Sequence, residues 1–234
     1  MTIARIFLFA SVILLGQTCA AQTKAVSVPA NSRGDTTLWF KWQQEWIHKA
    51  GLPNLIHSKD SLHFRFSTET QSVDIWTADF RFFHGTLSDY TTSYNPPSHN
   101  REKPKPGKFY SHKTDLDTAT ARDIYDLFET LSVFSIPTDA DIKAWQPGED
   151  GNEYLVEYAT PQRYSFKSYW TPSYYKSRIP EAAIIDSVAQ RLETVLHLQK
   201  VFGTFIHTLP HGSYRAGGMA ITVATKKKKK QTNG

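Results

Sequence analysis

Between Leu62 and Ser67 apolar and polar residues alternate, with Leu62, Phe64 and Phe66 on one side and His63, Arg65 and Ser67 on the other. A period of two predicts a strand buried on one face, with the histidine and arginine side facing out. Val73–Phe83 and Thr86–Tyr94 read as two further strands, with a bulge or bend near Gly85, and the three together predict an antiparallel meander. A later pair of β-prone runs carries Tyr154, Glu157 and Tyr158 before Thr160-Pro161, and Tyr164, Lys167, Tyr169 and Trp170 after it. Preceded by an Asp150-Gly151 turn, they predict a hairpin.

Helical spacing appears three times. Leu38, Trp39, Trp42 and Trp46 recur at intervals of three and four, with Asp35 or Thr36 as cap and Gly51 as terminator. Ala121, Ile124, Phe128 and Leu131 form a second stripe, broadened by Leu127 and capped by Asp117 or Thr118. The third and longest contains Ile184, Ile185, Val188, Leu192, Val195 and Leu196, with Pro180 in its first turn and Asp186, Gln190 and Glu193 expected to face water. Val201–Leu209 is read as either a short helix or a buried extension, and Met219–Thr225 as a short β-prone run.

This order gives an α+β fold, an antiparallel sheet of about five to six strands with three helices packed mainly on one face. Residues 34–225 are expected to form a single α+β domain. A Pro/Lys-rich loop at 95–108 has Pro96, Pro97, Pro104 and Pro106 interleaved with four basic residues and one acid. Residues 22–33 are small and polar and read as a flexible leader, and 226–234 as a basic disordered tail.

At the start of the chain Arg5 precedes an apolar run from Ile6 to Leu15, followed by small residues up to Ala21. This resembles a secretory signal peptide, residues 1–21. The apolar run is too short to cross about 30 Å of hydrocarbon as a helix, so no transmembrane anchor is expected. Cys19 is the sole cysteine and lies in the segment expected to be removed, leaving a mature chain without disulfide or thiolate chemistry. Lipid attachment at Cys19 would call for Leu or a similar residue three positions earlier, where Gly16 stands.

The net charge of +5 resides in the termini. Arg5 and Lys226 to Lys230 are six of the 27 basic residues, which leaves 21 against 22 acidic ones in the body. A nucleic-acid-binding domain would have a basic face, so no specific nucleic-acid role is expected. The lysine run provides at most weak contact with an anionic surface.

The hairpin region supplies the candidate site: Trp145, Asp150, Tyr154, Glu157, Lys167, Tyr169 and Trp170. With a three-residue loop, Pro161 to Arg163, Glu157 would lie opposite Lys167 and Tyr154 opposite Trp170; a loop longer by two would make each pair diagonal. Trp76, Tyr158 and Tyr164 add to an aromatic surface fit to stack on a sugar or peptide. The acids Asp139, Asp141, Glu149, Asp150, Glu153 and Glu157 do not follow the spacing of a calcium loop. Two of them at about 5 to 9.5 Å would suit glycoside cleavage. The nine dispersed histidines form no zinc-protease pair, and neither a nucleophile elbow nor a phosphate loop occurs.

No cofactor is expected. The reading is an exported soluble domain, periplasmic or secreted, acting as a binding or interaction module in the bacterial envelope on an unknown envelope protein or glycan. The alternative is a carboxylate-dependent hydrolase acting on envelope glycan, and a third possibility is an assembly factor whose aromatic patch meets a protein.

Overall fold

The computed structural model describes residues 23–30, 36–95, 107–146, 148 and 150–224. The signal-like segment with Cys19, most of the Pro/Lys-rich loop, Glu149 and the lysine tail lie outside the described residues.

The elements run β1 (Ala25–Ser27), α1 (Leu38–Ala50), β2 (Leu62–Ser67), β3 (Gln71–Thr77), β4 (His84–Thr92), β5 (Phe109–Leu116), α2 (Thr118–Thr130), β6 (Glu153–Ala159), β7 (Arg163–Trp170), α3 (Pro172–Tyr175), α4 (Pro180–Leu196), α5 (Leu198–Thr208), β8 (Gly212–Ala216) and β9 (Met219–Val223). Among the described residues the fold is α+β, with a seven-stranded mixed sheet ordered β1-β7-β6-β2-β3-β4-β5 and a separate β8-β9 ribbon. The expected sheet of five to six antiparallel strands is therefore too small. Residues 25–27, expected in the leader, pair in parallel with β7 and make the sheet mixed. Phe109–Leu116 joins β4 through eight antiparallel positions, although the solvent exposure of most of its side chains leaves no apolar stripe.

One face carries the larger core. Leu62, Phe64, Phe66, Val73, Ile75 and Val156 meet α2 and α4, and the Phe64 ring lies 4.7 Å from Phe128 and 5.1 Å from Phe134. Asp117 caps α2 by accepting the Thr120 amide at 2.9 Å, which fixes the Ala121, Ile124 and Phe128 stripe toward the sheet. In α4, Asp186 is buried, contrary to the water-facing position expected, and accepts hydrogen bonds from Lys176 at 2.9 Å and Gln190 at 2.7 Å. Gly85 lies within β4 and makes no break; the strands separate instead at residues 78–83. A Cβ at Gly85 would stand 2.7 Å from Ile75 Cδ1, so glycine there permits close strand packing.

Helices cover both faces, not mainly one. Helix α1 begins after Thr37, whose hydroxyl accepts the Phe40 amide, and ends at Gly51 in the left-handed conformation. It crosses the second face from β7, where Phe40 meets Phe166 at 5.2 Å, to β4, where Trp46 meets Tyr90 at 5.3 Å. Its buried residues are Gln43, Ile47 and Ala50, whereas Leu38 and Trp42 of the expected apolar stripe are exposed. The polar side of β2, expected to face water, is buried along its full length, with Gln43 of α1 over Ser67 and Pro53, beyond the helix, over Arg65.

The β8-β9 ribbon packs against α5 through Tyr214, Phe202, Phe205 and Val223. The Tyr94 amide donates to Ser213 O at 2.7 Å and the Thr91 hydroxyl to Arg215 O, fixing the ribbon beside the end of β4.

Candidate functional site

The β6-β7 hairpin turns through Pro161 and Gln162, with the Thr160 amide donating to Arg163 O at 2.8 Å. Glu157 therefore pairs with Phe166 and Tyr154 with Tyr169, one position away from the expected register. Because side chains alternate, the shift places Glu157 and Lys167 on opposite faces. Lys167 donates to Phe134 O at 2.7 Å and Ile136 O at 2.6 Å, and burial followed by repulsion from Arg163 lowers its pKa to about 8. Trp145 donates from its indole to Trp170 O at 2.7 Å, Tyr169 donates to Ile136 O at 3.2 Å, and Tyr154 stacks on Phe66 at 5.3 Å. Asp150 is exposed on its turn. These seven residues do not converge on one concavity.

Under α1 the second face holds a buried ionic network, in which Asp74 Oδ2 alone among the carboxylate oxygens of Asp74 and Glu157 makes no hydrogen bond. Arg65, fully buried, donates to Asp74 Oδ1 at 2.8 Å, Glu157 Oε2 at 2.9 Å and Pro53 O at 2.8 Å. Register accounts for the contacts, since Asp74 on β3 and Glu157 on β6 flank Arg65 on β2 directly. Burial opposes ionisation of Asp74, but Arg65 and His63 outweigh it and hold the carboxyl below its usual range. Tyr164 donates to Glu157 Oε1 at 2.8 Å, and Gln43 donates to Glu157 Oε2 at 3.3 Å and Ser67 Oγ at 2.9 Å. Ser67, Ser72 and the Tyr90 hydroxyl continue the chain at 2.8 and 2.9 Å. His63 lies 3.2 Å from both Asp74 and Asp60.

Where this network reaches the sheet end, a cleft of about 320 Å³ opens between α1 and the β8-β9 turn. Trp39, Trp42 and Trp46 form its helical wall; Tyr90, Leu155, Thr68, Glu69 and Glu153 line it from the sheet; Arg215, Gly217 and Gly218 line it from the ribbon. Trp39 and Trp42 meet edge to face at 5.1 Å, and Trp42 remains 47% exposed. A larger groove of about 840 Å³ adjoins it across the ribbon turn, sharing Thr68, Glu69, Glu153 and Gly217 and adding Tyr154, Asp186 and Glu193.

Glu153 is the chemically unusual group. It is 3% exposed, and neither carboxyl oxygen has a hydrogen-bond partner among the described residues. Burial, followed by the charge of Asp139 and then that of Glu69, pushes its pKa up to about 9; the Ser168 hydroxyl and Tyr169 amide lie near enough to offset part of this but fall short of hydrogen-bond geometry. Burial raises the Glu69 carboxyl as well. At neutral pH the cleft thus contains a protonated carboxylic acid beside three indoles. An unsatisfied buried carboxyl destabilises a fold unless something outside the chain completes its bonding.

In the sequence Glu153 stands out only as one of a cluster of acids, and the tryptophans only as part of a packing stripe. Trp39, Trp42 and Trp46 on one helix were the available signal. Glu69 and Arg215 had none, because a turn and a distant ribbon bring them to the cleft. Among the described residues, no group of three or more His, Cys, Asp or Glu side chains is placed to hold a metal ion, and no helix is long and apolar enough to cross a membrane. No family model, curated protein or solved structure matches this chain.

Proposed function

We propose that this chain is an exported binding module of the bacterial envelope whose ligand occupies the cleft between α1 and the β8-β9 turn. The observation that carries the reading is a cleft lined by three tryptophans, Trp42 exposed and Trp39 and Trp46 half-buried, together with a buried carboxyl that makes no hydrogen bond among the described residues. Such a combination of apolar contact area with a few converging polar groups is characteristic of ligand sites. Export rests on Arg5 and the apolar run from Ile6 to Leu15. The partner is a small ligand, a glycan or a segment of an envelope protein, with Lys226 to Lys230 adding weak attraction to anionic surfaces.

A screen of small metabolites and glycan fragments by thermal shift and tryptophan fluorescence tests the reading. Binders should lose at least tenfold in affinity on Trp42→Ala or Trp46→Ala. A binder indifferent to both substitutions contradicts the assignment to this cleft.

The hydrolase reading gains one specific observation: two carboxyl groups, Glu153 and Glu69, line the same cleft, and burial pushes the Glu153 pKa up in the direction that a general acid needs. Turnover of an envelope glycan by the purified protein, abolished by Glu153→Gln, would favour it over simple binding.

A further inference from the structure

We propose that the cleft selects a cationic ligand, an amine or quaternary ammonium group that rests against the α1 indoles and takes the Glu153 carboxylate as its counter-ion. This rests on the reading of the cleft as a ligand site. Indole faces attract cations electrostatically, and several around one space form the aromatic cage used for quaternary ammonium groups. Trp39, Trp42 and Trp46 supply the aromatic wall, and Glu153 and Glu69 supply negative charge once ionised.

None of the ion pairs among the described residues involves Glu69 or Glu153. Arg215, the basic residue lining the cleft, holds its guanidinium 5.3 Å over the Tyr94 ring. The position of a counter-cation is therefore left to a ligand. Gly217 adds a steric argument, because a Cβ there would stand 2.5 Å from Glu69 Oε2; the bare ribbon backbone lets that carboxylate reach the cleft rim.

Cation binding is coupled to proton release. The free protein carries the Glu153 proton at pH 7, and a cation that pairs with the carboxylate expels it. The charged and titratable groups facing Glu153 or sharing its cavities are Asp139, Glu69, Arg215 and Tyr90, with Tyr154 from β6 and Asp186 and Glu193 from α4 across the adjoining groove. Acids predominate among them, so the local field favours a cation. For a permanently charged ligand, affinity should rise about tenfold per pH unit while Glu153 remains mostly protonated, and level off above about pH 9.

The test is calorimetric titration with choline, tetramethylammonium and spermidine, compared with 3,3-dimethylbutan-1-ol, the neutral isostere of choline, and with N-acetylglucosamine. The expected result is binding by at least one cation, release of one proton seen as a buffer-dependent enthalpy, and at least tenfold weaker binding of the neutral compounds. Glu153→Gln should abolish the proton release and weaken the cation at least tenfold, and Glu69→Gln should weaken it without abolishing the release. Equal or tighter binding of a neutral compound, lost on Trp42→Ala, would overturn cation selectivity while leaving the cleft as the ligand site. No binding by any of the three cations would overturn the proposal, and failure of the wider screen as well would overturn the binding reading with it.

Discussion

The Gln43 side-chain amide lies 3.3 Å from the Glu157 carboxylate, joining the helix that carries the tryptophan wall to the ionic network beneath it. Gln43 also lines the cleft. The position of the wall therefore depends on a buried charge cluster as well as on apolar packing. Gln43→Ala should destabilise the fold by about 1–3 kcal/mol, the range for hydrogen bonds including those to charged groups. A double-mutant cycle with Glu157→Gln, followed by urea unfolding, should give a coupling of about 0.5–3 kcal/mol. Additive effects would contradict the link.

Arg65 is the centre of that cluster, and its removal leaves Asp74 and Glu157 buried without their common cation. Arg65→Ala should cost about 3–5 kcal/mol in urea unfolding, as expected for one partner lost from a buried ionic group. A loss below about 1 kcal/mol would mean that the carboxylates find other partners.

Glu153 has the opposite sign. Its pKa rises from about 4.3 in an unfolded chain to about 9 in the fold. The folded state thus binds more protons between these values, and Glu153 lowers stability progressively as pH rises through that window. Glu153→Gln should melt at higher temperature than the parent at pH 8, with the difference shrinking toward pH 4. A destabilised variant at pH 8 would mean that the carboxyl has a structural partner and would remove the argument that it is reserved for a ligand.

The ribbon turn provides an internal control. Gly217 has φ +61°, and its Cβ position is occupied by Glu69; Gly218 has nothing within 4 Å. Gly217→Ala should cost about 1–2 kcal/mol for the left-handed backbone alone and displace Glu69 from the cleft rim, whereas Gly218→Ala should be nearly neutral. Melting and ligand affinity measured on the two variants together check this, and equal effects would contradict it.

Lys167 separates packing from binding. Its ammonium bonds Phe134 O and Ile136 O on the face opposite the cleft. Lys167→Met should destabilise the fold by about 1–3 kcal/mol while leaving ligand affinity unchanged, as urea unfolding and the same titration would report. A loss of affinity without loss of stability would return the hairpin to consideration as the site.

What the sequence disclosed was what local physics encodes. Asp117 with its following stripe marks α2 because capping and periodicity lie within a few residues, and Pro180 marks the start of α4 for the same reason. The inward turn of Arg65 depends on Asp74 and Glu157, which are 9 and 92 residues away, so alternation alone assigned it to solvent. The hairpin register rests on a turn shorter by one residue, enough to reverse every facing pair. Strand β5 is held by backbone pairing to β4 and leaves little pattern in its exposed side chains. The cleft was least legible, because Trp42, Glu69, Glu153 and Arg215 come from four separate segments.

The six tryptophan indole N–H groups offer the most direct test. Trp39, Trp42 and Trp46 line the cleft; Trp170 ends the hairpin and accepts the Trp145 indole N–H at its carbonyl, and Trp76 stacks on His84. In a two-dimensional nitrogen–proton spectrum with the indoles assigned by substitution, choline and N-acetylglucosamine oligomers would be added separately. A ligand of the cleft should shift the three cleft indoles and leave Trp76, Trp145 and Trp170 in place. Shifts confined to Trp145 and Trp170 would contradict the cleft assignment and place recognition on the hairpin.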